Sequence, residues 1–174
     1  MIETALLCLA LNMYFEARSE PIAGQIAVAE VTLNRVASPD YPNTICEVVL
    51  QERGKTCQFS WWCDGKSDTP TEPQAFQRSK ALAKMMIEDG QYISVVGDDV
   101  THYHAQSVNP YWSDDLGYVQ QVGNHIFYAE KKNESNTTAH ETYLRATAVS
   151  RLYAQYMYQI RKGTIISYLL GFEY

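Results

Sequence analysis

The stretch that most constrains this chain runs from Ala5 to Leu11, apolar throughout apart from the soft Cys8, and on through Asn12-Met13-Tyr14-Phe15-Glu16-Ala17-Arg18-Ser19-Glu20-Pro21. A segment apolar on every side reads as a helix inside a core rather than one lying on a surface. The run is also far too short to cross a bilayer. At 3.6 residues per turn, Asn12, Glu16 and Glu20 stack along one face, and Pro21 stops easy continuation. The expected helix is therefore about 4–20, with the Glu16 carboxyl near its end, where a cleft can open. A carboxyl there is partly desolvated, which raises its pKa and keeps a proton available near neutral pH. Two readings of Glu16 follow: a general acid, or a structural carboxylate paired with Arg18 or Arg35. Glu20 reads as a residue of the turn, shielding the N-terminus of the next helix.

Pro21 is a start signal for a second helix, in which Ile26, Ala29, Leu33 and Val36 form an apolar stripe. Gly24, Ala23 and Ala27 are small enough for close approach to the first helix. Glu30 and Asn34 share a face, as support for the cleft or as an exposed pair. Ser38–Asn43 is a loop by composition, and Thr44–Leu50 a short helix or irregular segment. Residues 53–74 lack any helical period, and long ordered loops of this kind are often functional. Within them, Gln58-Phe59-Ser60-Trp61-Trp62 alternates aromatic and polar residues, which suits a strand or a cleft wall. A third helix is expected over 74–89, with Phe76, Leu82, Ala83, Met86 and Ile87 inward and Gly90 as its stop. His102 and His104, two apart on an extended segment, point to the same side. With no HExxH and no third ligand nearby, they read as hydrogen-bonding residues rather than a metal site. His125 fits a satisfied structural histidine. Residues 131–138 read as a polar linker, 139–162 as a last helix and 164–174 as an apolar tail.

A chain of 174 residues with 46% hydrophobic content can bury one good core. Its formal net charge of −6, without a Lys/Arg stripe, excludes nucleic acid as the main partner. Thirteen tyrosines and three tryptophans suit either core packing or stacking on the apolar faces of sugars. The first fifteen residues carry Glu3 where a secretory signal would be basic. Cys8 reads as a small core residue. Cys46, Cys57 and Cys63 do not have paired-CxxC spacing, so zinc is not expected; a disulfide among them and free thiols both stay open.

Several blocks follow one another at fixed offsets: Tyr14-Phe15-Glu16-Ala17-Arg18-Ser19-Glu20-Pro21, Ala27-Val28-Ala29-Glu30-Val31, Leu33-Asn34-Arg35-Val36, Tyr41-Pro42-Asn43-Thr44 and Cys57-Gln58-Phe59-Ser60. Cys63-Asp64-Gly65, Thr101-His102-Tyr103-His104-Ala105, Pro110-Tyr111-Trp112 and Gly123-Asn124-His125-Ile126-Phe127-Tyr128 continue the series. Over about residues 8–129 it resembles the spore cortex-lytic, SleB-type family of bacterial and phage cell-wall hydrolases. Ser19 departs from the family's usual Gly, which bears only on the shape of the turn.

The resemblance implies an α+β, mainly α, lysozyme-like fold with a small β element and a long substrate-lining loop. Residues 1–130 would be the catalytic domain; 131–174 lie outside the resemblance and read as a linker and helix packed on the same domain, with a partner or envelope contact as the alternative. It implies cleavage of peptidoglycan glycan strands by a monomer with no cofactor, no metal and no stable membrane anchor. Glu16 would be the catalytic acid; Glu20, Ser60, Trp61, Asp64, His102, Tyr103, His104 and Trp112 would bind substrate. Three chemistries stay open. A lytic transglycosylase needs one acid/base. A hydrolase needs a second carboxylate, from Glu20, Glu30, Asp64 or Asp68. A wall-binding module would hold sugar on Trp61, Trp62 and Tyr111 without cutting it. Without an export signal of its own, such a protein would be a phage endolysin, made in the host cytoplasm and acting in the periplasm or wall after release.

Overall fold

A computed structural model describes residues 2–54, 56–89 and 94–131. The apolar stretch forms helix α1, Ile2–Ala17, which packs against three other α-helices among the described residues. These are α2 (Ile22–Ala37), α3 (Ile45–Val49) and α4 (Pro73–Lys84). Helix α1 ends three residues before the expected Glu20. The backbone N–H of Glu20 closes the turn on the Ala17 carbonyl at 2.9 Å. Pro73 stands in the first turn of α4, where its missing N–H costs nothing. A π-helical turn, Met85–Asp89, prolongs α4 to the end of the expected span. Gly90, the expected stop, lies outside the described residues, as do the linker expected over 131–138 apart from Lys131, the helix over 139–162 and the tail over 164–174.

Helix α2 is buried on two faces, more than one apolar stripe implied. Ile26 and Ala29 pack with Leu9, Ala10, Met13, Leu82, Ala83 and Met86 in a core between the helices. Ala27, Val28 and Val31 face the other way, onto Val100, Phe127 and Ala129 of a sheet. At Gly24 a Cβ would meet that of Glu20 at 3.0 Å, so a small residue lets the turn fold back tightly.

The sheet is antiparallel, in the order β3 (Val100–Ala105), β5 (His125–Ala129), β4 (Gly117–Val122). Gly123, at φ +59°, turns the β4–β5 hairpin. A ribbon of two-residue strands, β1 (Glu52–Arg53) and β2 (Thr56–Cys57), opens the long loop. The Gln58–Trp62 segment is not a strand. From Ser60 on it enters a 3₁₀ turn, Ser60–Cys63, that buries Trp61. A third cluster, Val48, Val49, Phe59 and Trp61, seats this loop on Leu11 and Phe15 of α1.

Polar groups join the helices to the sheet. Glu30 is buried and accepts from the backbone N–H groups of Val95 and Val96 at 2.8 and 2.9 Å. Asn34 donates to the carbonyls of Gly97 and Val100 at 2.7 and 2.8 Å. The pair is therefore a buried fastening rather than an exposed one. Two disulfides, Cys8–Cys46 and Cys57–Cys63, tie α1 to α3 and close the loop. Cys8 is thus no free core residue, because α3 brings Cys46 to it. Among the described residues, no helix is long and apolar enough to cross a membrane.

Candidate active site

Glu16 sits in the last turn of α1, at the seam where the helices meet the sheet and the long loop. It lines a cleft of about 260 Å³ together with Arg35, Cys57, Gln58, Phe59, Ser60, His102, Tyr103 and Trp112. Helix α2 supplies Arg35, the loop supplies 57–60, β3 supplies His102 and Tyr103, and the 3₁₀ turn Tyr111–Asp114 supplies Trp112.

The Tyr103 hydroxyl donates to Oε2 of Glu16 at 2.9 Å, leaving Oε1 for a proton. Burial raises the Glu16 pKa; the Tyr103 hydrogen bond and the Arg35 charge oppose this without cancelling it. The carboxyl therefore keeps its proton to higher pH than an ordinary glutamate. Burial, and then the Glu16 charge, push the Tyr103 phenol well above its usual range, so it stays a donor.

Arg35 is buried between the rings of Tyr41 and Phe59, 5.4 and 5.3 Å from their centroids. Its Nε donates to the Thr101 carbonyl at 2.7 Å, pinning β3. With its oxygen toward Arg35, the Gln58 amide accepts from Nη1 and Nη2 at 3.0 and 3.1 Å. One cation thus fixes both the strand and the loop around the acid. Burial first, and Arg35 second, lower the His102 pKa to about 4, so its imidazole is neutral at pH 7.

The expected site residues divide. Ser60, His102, Tyr103 and Trp112 join Glu16 in the cleft. Trp61 does not. Its ring stacks on Phe15 at 4.8 Å and its indole N–H donates to buried Asn12 at 3.0 Å, which makes it core. The same-side reading of the histidines holds, since both rings pack on Trp112, at 5.3 and 5.6 Å. His104, however, is buried and bonded to the Tyr128 hydroxyl at 2.9 Å, behind the wall. Glu20 accepts from the backbone N–H and side chain of Asn124 at 2.9 and 3.1 Å, so it fastens the hairpin instead of facing substrate. Asp64 turns to Lys66, accepting from its backbone N–H at 2.9 Å. Neither Asp68 nor buried Glu30 lines the cleft.

Arg35 is the lining residue the sequence reading underused. Its signal was a cation in the last turn of an otherwise buried helix. Among the described residues, Glu52, Cys57 and Cys63 stand close enough to share a metal ion, but both sulfurs are bonded to each other.

Comparison with known proteins agrees with this architecture. A family model described as Cell Wall Hydrolase matches residues 19–128. The spore cortex-lytic enzyme of Bacillus cereus is 29% identical over 116 residues, which are 66% of this chain and 40% of that protein. Its counterpart in Bacillus subtilis is 28% identical over 120 residues, 68% of this chain and 35% of that one. The chain therefore spans about two fifths of the length of these relatives or less. Among solved structures, the catalytic domain of the germination-specific lytic transglycosylase SleB from Bacillus anthracis superposes with a TM-score of 0.57 at 28% identity. The superposition covers 72% of this chain and 94% of that domain. The catalytic domain of Bacillus cereus SleB gives 0.53 at 26%, covering 72% and 90%. The fold is thus the lysozyme-like α+β fold of SleB catalytic domains. With the family model matched over more than half of its length, the chain belongs to the cell wall hydrolase family.

Proposed function

We propose that this protein cleaves the glycan strands of peptidoglycan between N-acetylmuramic acid and N-acetylglucosamine, as a lytic transglycosylase with Glu16 as its single acid and base. One observation carries the reading: Glu16 is the only carboxylate that lines the cleft among the described residues. A hydrolase that adds water normally uses two carboxyl groups flanking the bond. Here Glu20, Glu30, Asp64 and Asp68 lie elsewhere, held by Asn124, by the Val95 and Val96 backbone, by Lys66, or outside the cleft lining. The structural likeness to a lytic transglycosylase domain supports the same chemistry. The family match opens at Ser19, so the role of Glu16 rests on its geometry.

In this reading the protonated Oε1 of Glu16 gives its proton to the glycosidic oxygen as the bond from C1 of muramic acid breaks. The carboxylate left behind, held through Oε2 by Tyr103, then takes the proton of the muramic acid 6-hydroxyl. That oxygen attacks C1 and closes a 1,6-anhydro ring. Glu16 ends protonated again, and no water is consumed. Neutral His102, Ser60 and Trp112 bind the sugars. The acid, its tyrosine partner and the sugar-binding side chains all come from one chain, which supports a monomer as the working unit. Two disulfides fit work in an oxidising compartment outside the cytoplasm.

Digestion of peptidoglycan in oxygen-18 water tests the mechanism. The expected products end in 1,6-anhydro-muramic acid and carry no heavy oxygen. Reducing-end muramic acid bearing oxygen-18 would replace the transglycosylase with a hydrolase.

A further inference from the structure

At about 260 Å³ the cleft falls just below the usual ~300–1,000 Å³ of a small-molecule site. A polymer cut there must lie across neighbouring surface as well. One part of that surface has an unusual composition. Tyr111 is 90% exposed and Tyr118 65% exposed, although both belong to regular elements, the 3₁₀ turn and β4.

These rings are joined to the cleft wall. Trp112, which lines the cleft, sits edge-on to the buried ring of Tyr128 at 5.7 Å. Tyr118 also sits edge-on to that ring, at 6.3 Å. The Tyr128 hydroxyl is held by His104, whose ring stacks on the Tyr128 ring at 5.3 Å. Tyr128 is therefore a held hub that touches both Trp112 of the cleft lining and exposed Tyr118. Tyr111 neighbours Trp112 on the same turn.

We infer that Tyr111 and Tyr118 form a sugar-stacking strip that continues the cleft past Trp112 and holds the glycan strand beyond the bond being cut. The inference rests on the glycan-cleaving reading above and adds to it where the uncut part of the strand lies. Pyranose rings present an apolar C–H face that pairs with an aromatic ring, and a tyrosine has few side-chain torsions to lose on binding it. Asp114 and Asp115 are exposed beside Tyr111, and the Lys131 ammonium reaches the Asp114 carbonyl, so the patch holds charges of both signs. The ring faces, rather than net charge, select the ligand, and they suit the apolar C–H faces of N-acetylhexosamine units.

Binding rather than cleavage is the first readout, so that the strip and the mechanism can fail separately. The full chain carrying Glu16→Gln is titrated with peptide-free glycan, as a disaccharide fragment and as long strands. Tyr111→Ala and Tyr118→Ala should each weaken long-strand binding by about 2- to 10-fold, the worth of one ring contact. The disaccharide should show a much smaller change, and Tyr→Phe at either site should restore long-strand affinity. Equal losses on both lengths, or Phe variants as weak as Ala, would overturn the strip. So would a dimer in sedimentation that the Ala variants dissociate, since the rings would then be a contact between copies. If the rings govern long-strand binding yet the wild-type protein cuts no glycan, the strip stands and the catalytic reading falls.

Discussion

At the scale of single residues the outcome turned on what each side chain meets. Glu16 was legible as a half-desolvated carboxyl because it closes a largely apolar helix, a local property; its choice as the acid over a structural carboxylate came from the family blocks. Tyr103, His102, Ser60 and Trp112 were legible only through the family blocks, since nothing local ties them to residue 16. Trp61, Asp64, Glu20 and His104 sit in the same blocks yet serve packing or turns. Matching residues cannot separate a cleft wall from the layer behind it. The acid itself gives a prediction with two parts. Glu16→Gln should lower cleavage by on the order of a hundred- to ten-thousand-fold. Its effect on stability has the opposite sense and depends on pH. The folded Glu16 pKa is raised above its ordinary value of 4.5, chiefly by burial. Its contribution to stability is full below that value and is lost as pH rises through the folded pKa. Gln never ionises and can still accept from Tyr103. Thermal unfolding should give matching midpoints below about pH 4 and a more stable variant at neutral pH. A variant less stable at pH 7 would mean that the Arg35 charge outweighs burial.

At the scale of elements, the helices followed from periodicity and the loop did not. Helix α2 read as one stripe because its second buried face is built from Ala27, Val28 and Val31, small enough to escape a search for bulky repeats. The 57–63 segment has no period to read; a covalent link and two buried rings shape it. Cys8 looks like a small core residue in the sequence because its partner Cys46 reaches it only through the packing of α3 on α1. The two disulfides should behave differently when removed. They span 38 and 6 residues of sequence. Loop-closure entropy then gives about 4 kcal/mol for Cys8–Cys46 and about 2 kcal/mol for Cys57–Cys63. Cys57 lines the cleft, however, and its link frames Phe59 and Ser60. Urea unfolding of Cys8→Ala/Cys46→Ala should show the larger loss of stability. Cys57→Ala/Cys63→Ala should lose less stability but more activity at 25 °C. Equal activity in both double variants would show that the loop holds its shape without the link.

At the scale of the whole molecule, the cleft is a seam. Glu16 and Arg35 come from the helices; Tyr103, His102 and Trp112 come from the sheet and the turn beside it. The acid's hydrogen bond to Tyr103 therefore exists only while the two parts are registered. That registration depends on few polar contacts. Asn34 reaches the Gly97 and Val100 carbonyls, Arg35 the Thr101 carbonyl, and Glu20 the hairpin at Asn124. Asn34 is buried, so Asn34→Ala would take a donor from two carbonyls, at about 1–3 kcal/mol. Its apolar neighbours stay in place, and the core between α1, α2 and α4 does not involve it. The sheet side should then loosen while the helical core persists. In a urea titration of Asn34→Ala, activity should fall at lower denaturant than the helical circular dichroism signal, whereas in the wild type the two should coincide. Coincident curves in the variant would mean that the apolar contacts of Val28 and Val31 with Val100 and Phe127 hold the seam unaided.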